Sequence, residues 1–484
     1  MVVCVGDPPR AVPCGTSTWE TGVSPSSAPT PLEGSDVPST STHFPWALHQ
    51  TRLDNGLRVV VCPDATVPLA AVNLWYDVGS RHEAEGKHGF AHLFEHLMFE
   101  GSAHVDKGGH FAAIEGCGGD NINASTNPDR TNYYQTVPSG QLALALWLEA
   151  DRMGSLALTQ ETLDNQREVV KNERRERYDN VPYGTWMEEM VALAYPAGHP
   201  YATSTIGSMA ELDGARLSDF VDFHATYYAP DNAVLTVVGD VDPDEVVALA
   251  RRYFGGIAAR GAFPQPDPAP LPRRFGTGRH LRLYRDVPTP RLFLAHRSPR
   301  FGSADAPAVN VLTAIVGRGR GSRLYRELVT AKNLAQAAGS YLSAWGFMHF
   351  DSVVMGSCAP SEGVEPDDLL AAYVAVCDDV VRDGVTEEEV ERVRAMLAGD
   401  WLRELATAGS RADAIGRFAT LHGDADAIRA HLDDLLAVTA DDVQRVAADV
   451  LHADNRIVLS FLPEADAADV ADAADGITEP EAAA

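Results

Sequence analysis

The chain has 484 residues, 45% of them hydrophobic and 22% charged, which is enough apolar surface for a sizeable core and too long for one ordinary domain. Lys and Arg number 39 against 68 Asp and Glu, and the formal charge of −29 excludes a binder that neutralises nucleic-acid phosphates, while remaining compatible with basic ligands. No run approaches the roughly 18 apolar residues of a membrane span, and six scattered cysteines (Cys4, Cys14, Cys62, Cys117, Cys358 and Cys377) without CxxC spacing make no disulfide framework. The expectation is a soluble protein of a reducing compartment, by default cytoplasmic, with neither membrane nor nucleic acid as partner.

Residues 1–44 are rich in Ser, Thr, Pro and Gly without periodicity and read as a disordered extension. Their start, "MVVCVGDPPRAVPCG", lacks the basic and apolar regions of a secretory signal. "LRVVVCP" (57–63) and "AAVNLWYDVG" (70–79) then read as strands, and Gly89 to Phe99 has helical apolar spacing. "GGDNINASTNPDRT" taken alone is a polar turn leading into the strand "TNYYQTVP" (131–138), and Cys117 beside it reads as packing. "LTQETLDNQREVVKNERRERY" (158–178) is an acidic helix, and "RLSDFVDFHATY", like "TADDVQRVAADV" in the second half, is a helix capped by a Ser or Thr with an acidic residue soon after.

Five prolines in "FPQPDPAPLPRRFGTG" (263–278) forbid a regular element and mark a linker between domains at 45–262 and 279–465; residues 466–484 form an acidic tail. The two halves resemble each other. Asp231-Asn232 aligns with Asp454-Asn455 at an offset of 223, and Thr159 aligns with Thr386 at an offset of 227, each with matching helices and strands around it. Two offsets this close indicate an internal duplication. The predicted fold is α+β: two homologous α/β-roll domains, each a mixed, mostly antiparallel sheet covered by helices on one face, arranged as a bowl or clamshell.

Within "HGFAHLFEHLMFEG" (88–101), His92 and His96 fall about 40° apart on one helical side, with Glu95 beside them. Two imidazoles on successive turns suit one Zn²⁺, and a carboxylate so placed can serve as general base toward water. The order H-x-x-E-H is the inverzincin pattern. The same residues would also fit a helix whose histidines are simply buried and hydrogen-bonded. Zinc needs a third ligand, and Glu161, Glu168, Glu173 and Glu176 on the later helix all qualify by spacing.

The segments "DVGSRHEAEGKHGFAHLFEHLMFEGS", "NINASTNPDRTNYYQTVP", "LEADRM", "NQREVVKNERRERYDN" and "YYAPDNAVLTVVGD" resemble the pitrilysin family of zinc peptidases, over about residues 45–465 and more closely in the first half. The resemblance implies a zinc metalloendopeptidase in which His92, His96 and Glu173 hold the metal and Glu95 is the general base. It also implies that Asn123, Ala124, Ser125 and Thr126 form a sheet edge against which substrate is laid as an added strand. Some relatives carry a second Glu seven residues before the third ligand, where this chain has Gln166.

The second half holds no H-x-x-E-H, and Asp400 stands where Glu173 would repeat, so one metal site is expected. Complete members of the family supply an Arg and a Tyr from the second half; the corresponding positions here are Val329 and Gln336, with Arg323, Tyr325 and Arg326 nearby. That departure leads to the expectation of a heterodimer in which this chain carries the metal and a related partner subunit carries the Arg and Tyr. A self-sufficient peptidase and a non-catalytic assembly subunit are the alternatives.

Overall fold

The computed structural model describes residues 43–342 and 349–464; the sequence up to residue 42 and the acidic tail 466–484 lie outside the described residues. Phe44 is already buried and packs edge-on against Trp46.

The first half contributes β1 (His49–Arg52), β2 (Arg58–Pro63), β3 (Leu69–Tyr76), β4 (Asp120–Thr126), β5 (Thr131–Pro138) and β6 (Ala233–Gly239), ordered β1-β2-β6-β3-β5-β4 in one sheet. The second contributes β7 (Arg279–Arg285), β8 (Arg291–Ser298), β9 (Ala335–Leu342), β10 (Ser352–Pro360) and β11 (Ile457–Pro463), ordered β7-β11-β8-β10-β9. β2 with β6 and β7 with β11 are parallel pairs, and the other neighbours are antiparallel. The run β2-β6-β3-β5-β4 is therefore repeated as β7-β11-β8-β10-β9, which is the duplication written in strand order. β1 has no counterpart among the described residues. Residues 263–272, in the Pro-rich stretch, form neither helix nor strand, yet Gln265 reaches back to accept a hydrogen bond from Arg81 at 3.0 Å.

Side-chain alternation along β3 assigns its two faces. Val72, Leu74 and Tyr76 join a core with Leu93, Phe94 and Leu97 of the helix Phe90–Leu97, whereas Ala71 and Trp75 join a second core built largely from the other half. The helix Ala408–Arg417 of the second half packs on β3 and β6 from that side. The expectation of helices on one face only does not hold for the first sheet. The reason lies in "LAAVNLWY": seven of its eight residues are buried, and a strand apolar on both faces must be covered on both.

Beneath the Phe90–Leu97 helix the core is aromatic: Phe94 and Tyr228 have ring centroids 4.4 Å apart, and Tyr76 and Tyr228 4.5 Å. The helix Gln160–Arg174 starts at Thr159, whose hydroxyl accepts from the Thr162 amide in a capping box. Leu217–Tyr227 instead starts at Arg216, two residues before Ser218, the start the sequence favoured, because the Asp219 carboxylate accepts from the Arg216 amide at 3.1 Å.

Candidate active site

The helix Phe90–Leu97 is short, and its position is fixed from outside. Gly89, at φ +96°, and Gly207, at φ +72°, lie in contact: a Cβ on Gly207 would sit 2.2 Å from the His88 carbonyl oxygen and 2.4 Å from Gly89 Cα. Only glycine fits at either place. The buried carboxylate of Glu83 accepts from the amides of Gly89 (3.1 Å) and Ala91 (2.7 Å), satisfying donors that the helix start leaves unpaired. Burial pushes the Glu83 carboxyl up to about 8 in spite of those amides. Glu211 accepts from the His88 amide at 2.5 Å.

The third residue of the site arrives on the helix Gln160–Arg174, which packs across Phe90–Leu97. Arg174 holds this end in place: it forms a bidentate pair with Glu188 at 2.6 and 2.9 Å and donates to the Gly207 carbonyl. The same loop glycine thus registers both helices. Just past Glu173 the helix widens into a π-turn over Arg175–Asp179, a deviation often found at functional positions.

His92, His96 and Glu173 converge so that one donor atom from each lies within 4.8 Å of the others. Glu173 Oε2 is 3.5 Å from His96 Nε2 and 3.9 Å from His92 Nε2. A tetrahedral ion with bonds of ~2.1 Å separates its ligands by about 3.4 Å, so the spacing fits Zn²⁺, and two imidazoles with one carboxylate form a donor set typical of that ion. Of the four glutamates open by spacing, the fold brings Glu173 to the histidines. The other Glu173 oxygen, Oε1, is 2.6 Å from Arg177 Nη1.

Burial would raise the Glu173 carboxyl, but the His96 hydrogen bond and the charges of His92, His96 and Arg177 hold it down at about 2. Burial, followed by the neighbouring His96 charge, lowers the His92 imidazole to about 4. Burial also acts to lower His96, but Glu173 and Glu95 outweigh it and the net shift is upward. A neutral His92 and an ionised Glu173 are the protonation states a cation requires.

Glu95 is buried next to the pair. Its Oε2 meets no partner among the described residues; the neighbouring Thr126, whose hydroxyl donates to Thr131 Oγ1 at 3.3 Å, acts to lower the carboxyl. Desolvation raises this carboxyl overall, which favours a group able both to take and to return a proton.

Asn123, Ala124, Ser125 and Thr126 lie in β4, the outermost strand of the first sheet, so the segment that reads alone as a turn is an edge strand. Ala124 is buried toward the Phe90–Leu97 helix, and Thr126 faces Glu95. The Ala124 amide is met by the Asn123 side-chain oxygen at 2.9 Å, a small guard on an otherwise open edge. Cys117 donates to the Ile114 carbonyl at 3.1 Å and takes no part in the cluster.

Residues 58–208 match the family described as Insulinase (Peptidase family M16), and residues 215–397 match the family described as Peptidase M16 inactive domain. A zinc protease of Helicobacter pylori, PqqE, is 31% identical over 399 residues, which cover 82% of this chain and 88% of that protein. The chain belongs to the M16 peptidase family. An uncharacterized zinc protease of Mycobacterium tuberculosis is similarly close to this M16 chain, 30% identical over 405 residues covering 84% and 91%. Among solved structures, a protease from Helicobacter pylori is 28% identical with a TM-score of 0.80, covering 86% of this chain and 100% of that one. Pitrilysin shares the fold at 19% identity and a TM-score of 0.72; the match covers 90% of this chain but 46% of pitrilysin.

Gln166 is the residue whose contribution the M16 motif did not convey. Its amide nitrogen donates to Glu100 Oε1 at 2.6 Å, which turns Oε1 toward His96 Nδ1 at 3.3 Å; Glu100 Oε2 in turn lies 2.7 Å from Lys107 Nζ. An acceptor at Nδ1 favours a proton there, so that Nε2, which shares a proton with Glu173 when no ion is bound, can release it and turn a lone pair to a cation. In the second half, Val329 packs against the core and Gln336 is exposed on β9. Arg323 and Arg326 are both paired with Glu389, at 2.7 and 3.2 Å. No helix among the described residues is long and apolar enough to cross a membrane.

Proposed function

We propose that this chain is a zinc-dependent metalloendopeptidase acting on oligopeptides or unfolded polypeptide segments. The observation that carries the reading is the convergence of His92, His96 and Glu173 beside a buried Glu95, next to the open edge of β4. The names of its relatives, zinc proteases over most of their length, support the same metal.

His92 Nε2, His96 Nε2 and Glu173 Oε2 would hold the ion. Zn²⁺ there would supply Lewis-acid chemistry, polarising a carbonyl oxygen and making water more acidic. The β4 edge offers its backbone groups to a substrate laid alongside, which gives affinity with little demand on side-chain sequence. Glu95 takes a proton from the attacking water and returns it to the leaving amine, its carboxyl raised by burial. Glu95→Gln keeps the size and removes the base. Peptide hydrolysis is expected to fall by roughly 10²–10⁴-fold with zinc content unchanged. Retained turnover in a zinc-loaded variant would refute the assignment.

The active subunit is proposed to work with a second chain of the same fold. The absence of Arg and Tyr at Val329 and Gln336 and the engagement of Arg323 and Arg326 by Glu389 support a split site. Without cationic or phenolic stabilisation of developing charge, the chain alone should be slow. Mixing it with a related chain that carries the pair is expected to raise turnover; robust turnover of the single chain would favour self-sufficiency.

A further inference from the structure

The face of the first sheet opposite the His92 helix holds a polar cluster in which the two halves of the chain meet. Strand alternation puts Asn73 of β3 and Asn132 of β5 on this face, at the level of Trp75. The helix Ala408–Arg417 comes down on it so closely that a Cβ on Gly416 would be 2.6 Å from the Trp75 indole. From this helix Asp413 Oδ1 accepts from Asn73 Nδ2 at 3.2 Å and from Asn132 Nδ2 at 3.0 Å. Asn132 Nδ2 also donates to Asn73 Oδ1 at 3.0 Å.

With its amide nitrogen so committed, Asn132 turns Oδ1 toward β4. There it accepts from Ser125 Oγ at 2.8 Å and from Arg130 Nη1 at 2.7 Å. Arg130 Nη1 also donates to the Ser125 carbonyl at 2.7 Å, and its guanidinium carbon lies 4.8 Å over the Trp75 ring. This support is needed because the β4 ladder is short. Its register with β5 breaks between Asp120 and Asn123, Asn121 sits at φ +51°, and regular pairing covers Asn123 to Thr126. A four-residue edge pairing beside a bulge is a weak platform unless side chains hold it.

We infer that Asp413 is a positioning residue for the β4 edge: a carboxylate supplied by the second half orients Asn132, and through Asn132 and Arg130 fixes Ser125 and the strand on which a peptide is laid. The inference rests on the reading of β4 as the peptide edge. The second half, which lacks a metal cluster among the described residues, thereby acts on substrate binding within its own chain.

The test is amide hydrogen exchange on the full chain, with Asp413→Ala and Asp413→Asn. Asp413→Ala is expected to speed exchange at residues 123–126 by about tenfold or more, with β2 and β6 unchanged. Asp413→Asn, which keeps an acceptor oxygen for both asparagines, is expected to restore protection. In a zinc-loaded Glu95→Gln background, a fluorescein-labelled unstructured oligopeptide should bind roughly tenfold more weakly with Asp413→Ala and regain affinity with Asp413→Asn. Unchanged exchange in β4, equal acceleration throughout the sheet, or faster β4 exchange with unaltered peptide affinity would overturn the inference. A Glu95→Gln protein that binds no peptide, with β4 exchange responding as stated, overturns the peptide-edge reading and leaves Asp413 as the residue that positions β4.

Discussion

Gln166 Oε1 lies 3.3 Å from His96 Nδ1, and the same side chain donates to Glu100 at 2.6 Å. An amide can serve both neighbours at once, accepting from an imidazole and donating to a carboxylate; a glutamate would set two carboxylates against each other. Gln166→Ala removes the group that fixes the His96 tautomer while leaving all three proposed ligands. Zinc affinity, measured by competition with a chromogenic chelator, is expected to fall by ~10–100-fold. Affinity within a factor of two of the parent would show that His96 needs no such orientation.

Gly207 couples the two helices that bring the proposed ligands together, since it touches Gly89 and accepts from Arg174. Gly207→Ala places a side chain at φ +72° and 2.2 Å from a carbonyl oxygen. The expected loss is more than ~1 kcal/mol in stability by urea denaturation, because backbone must shift on both sides of the contact. Zinc affinity should fall in the same variant. A neutral outcome would mean that the loop relaxes without moving either helix.

The sequence carried the site further than it carried the surroundings. H-x-x-E-H is local, so the geometry of one helix already aligned His92, Glu95 and His96. Glu173 lies 77 residues beyond His96, and spacing alone left it among four glutamates; tertiary packing of two helices separates it from the rest. "NINAST" reads alone as a polar turn and becomes a sheet edge only through the resemblance; in the structure β5 pairs with it. Asp413 was invisible, since its role depends on a helix 281 residues away in sequence from Asn132. The strand repeat of the two sheets was legible as two similar offsets. The covering of β3 on both faces was not read, although its unbroken apolar run carried the signal.

Zinc should stabilise the fold by binding the native state alone. At free zinc about 1,000 times the dissociation constant, the gain is about 4 kcal/mol, seen as a rise in Tm by differential scanning calorimetry. His92→Ala removes one of three donors and should abolish most of that rise, whereas His104→Ala, on an exposed histidine outside the cluster, should keep it. An equal zinc response in both variants would place the ion elsewhere.

Glu389 makes a pH-dependent contribution to the second half that is independent of metal. Its carboxylate pairs with Arg323 at 2.7 Å and Arg326 at 3.2 Å and accepts from the Thr386 amide at 3.0 Å. Burial opposes ionisation, but these partners outweigh it and hold the carboxyl at about 2, below the ordinary value of 4.5. A depressed carboxyl contributes stability that is complete above the unfolded value and is lost as pH falls through the folded one. Glu389→Gln should therefore be less stable than the parent by ~1–3 kcal/mol at pH 7, and the two urea midpoints should converge as pH drops from about 4.5 toward 2. A constant difference across that range would show that the loss is one of packing and capping rather than of charge.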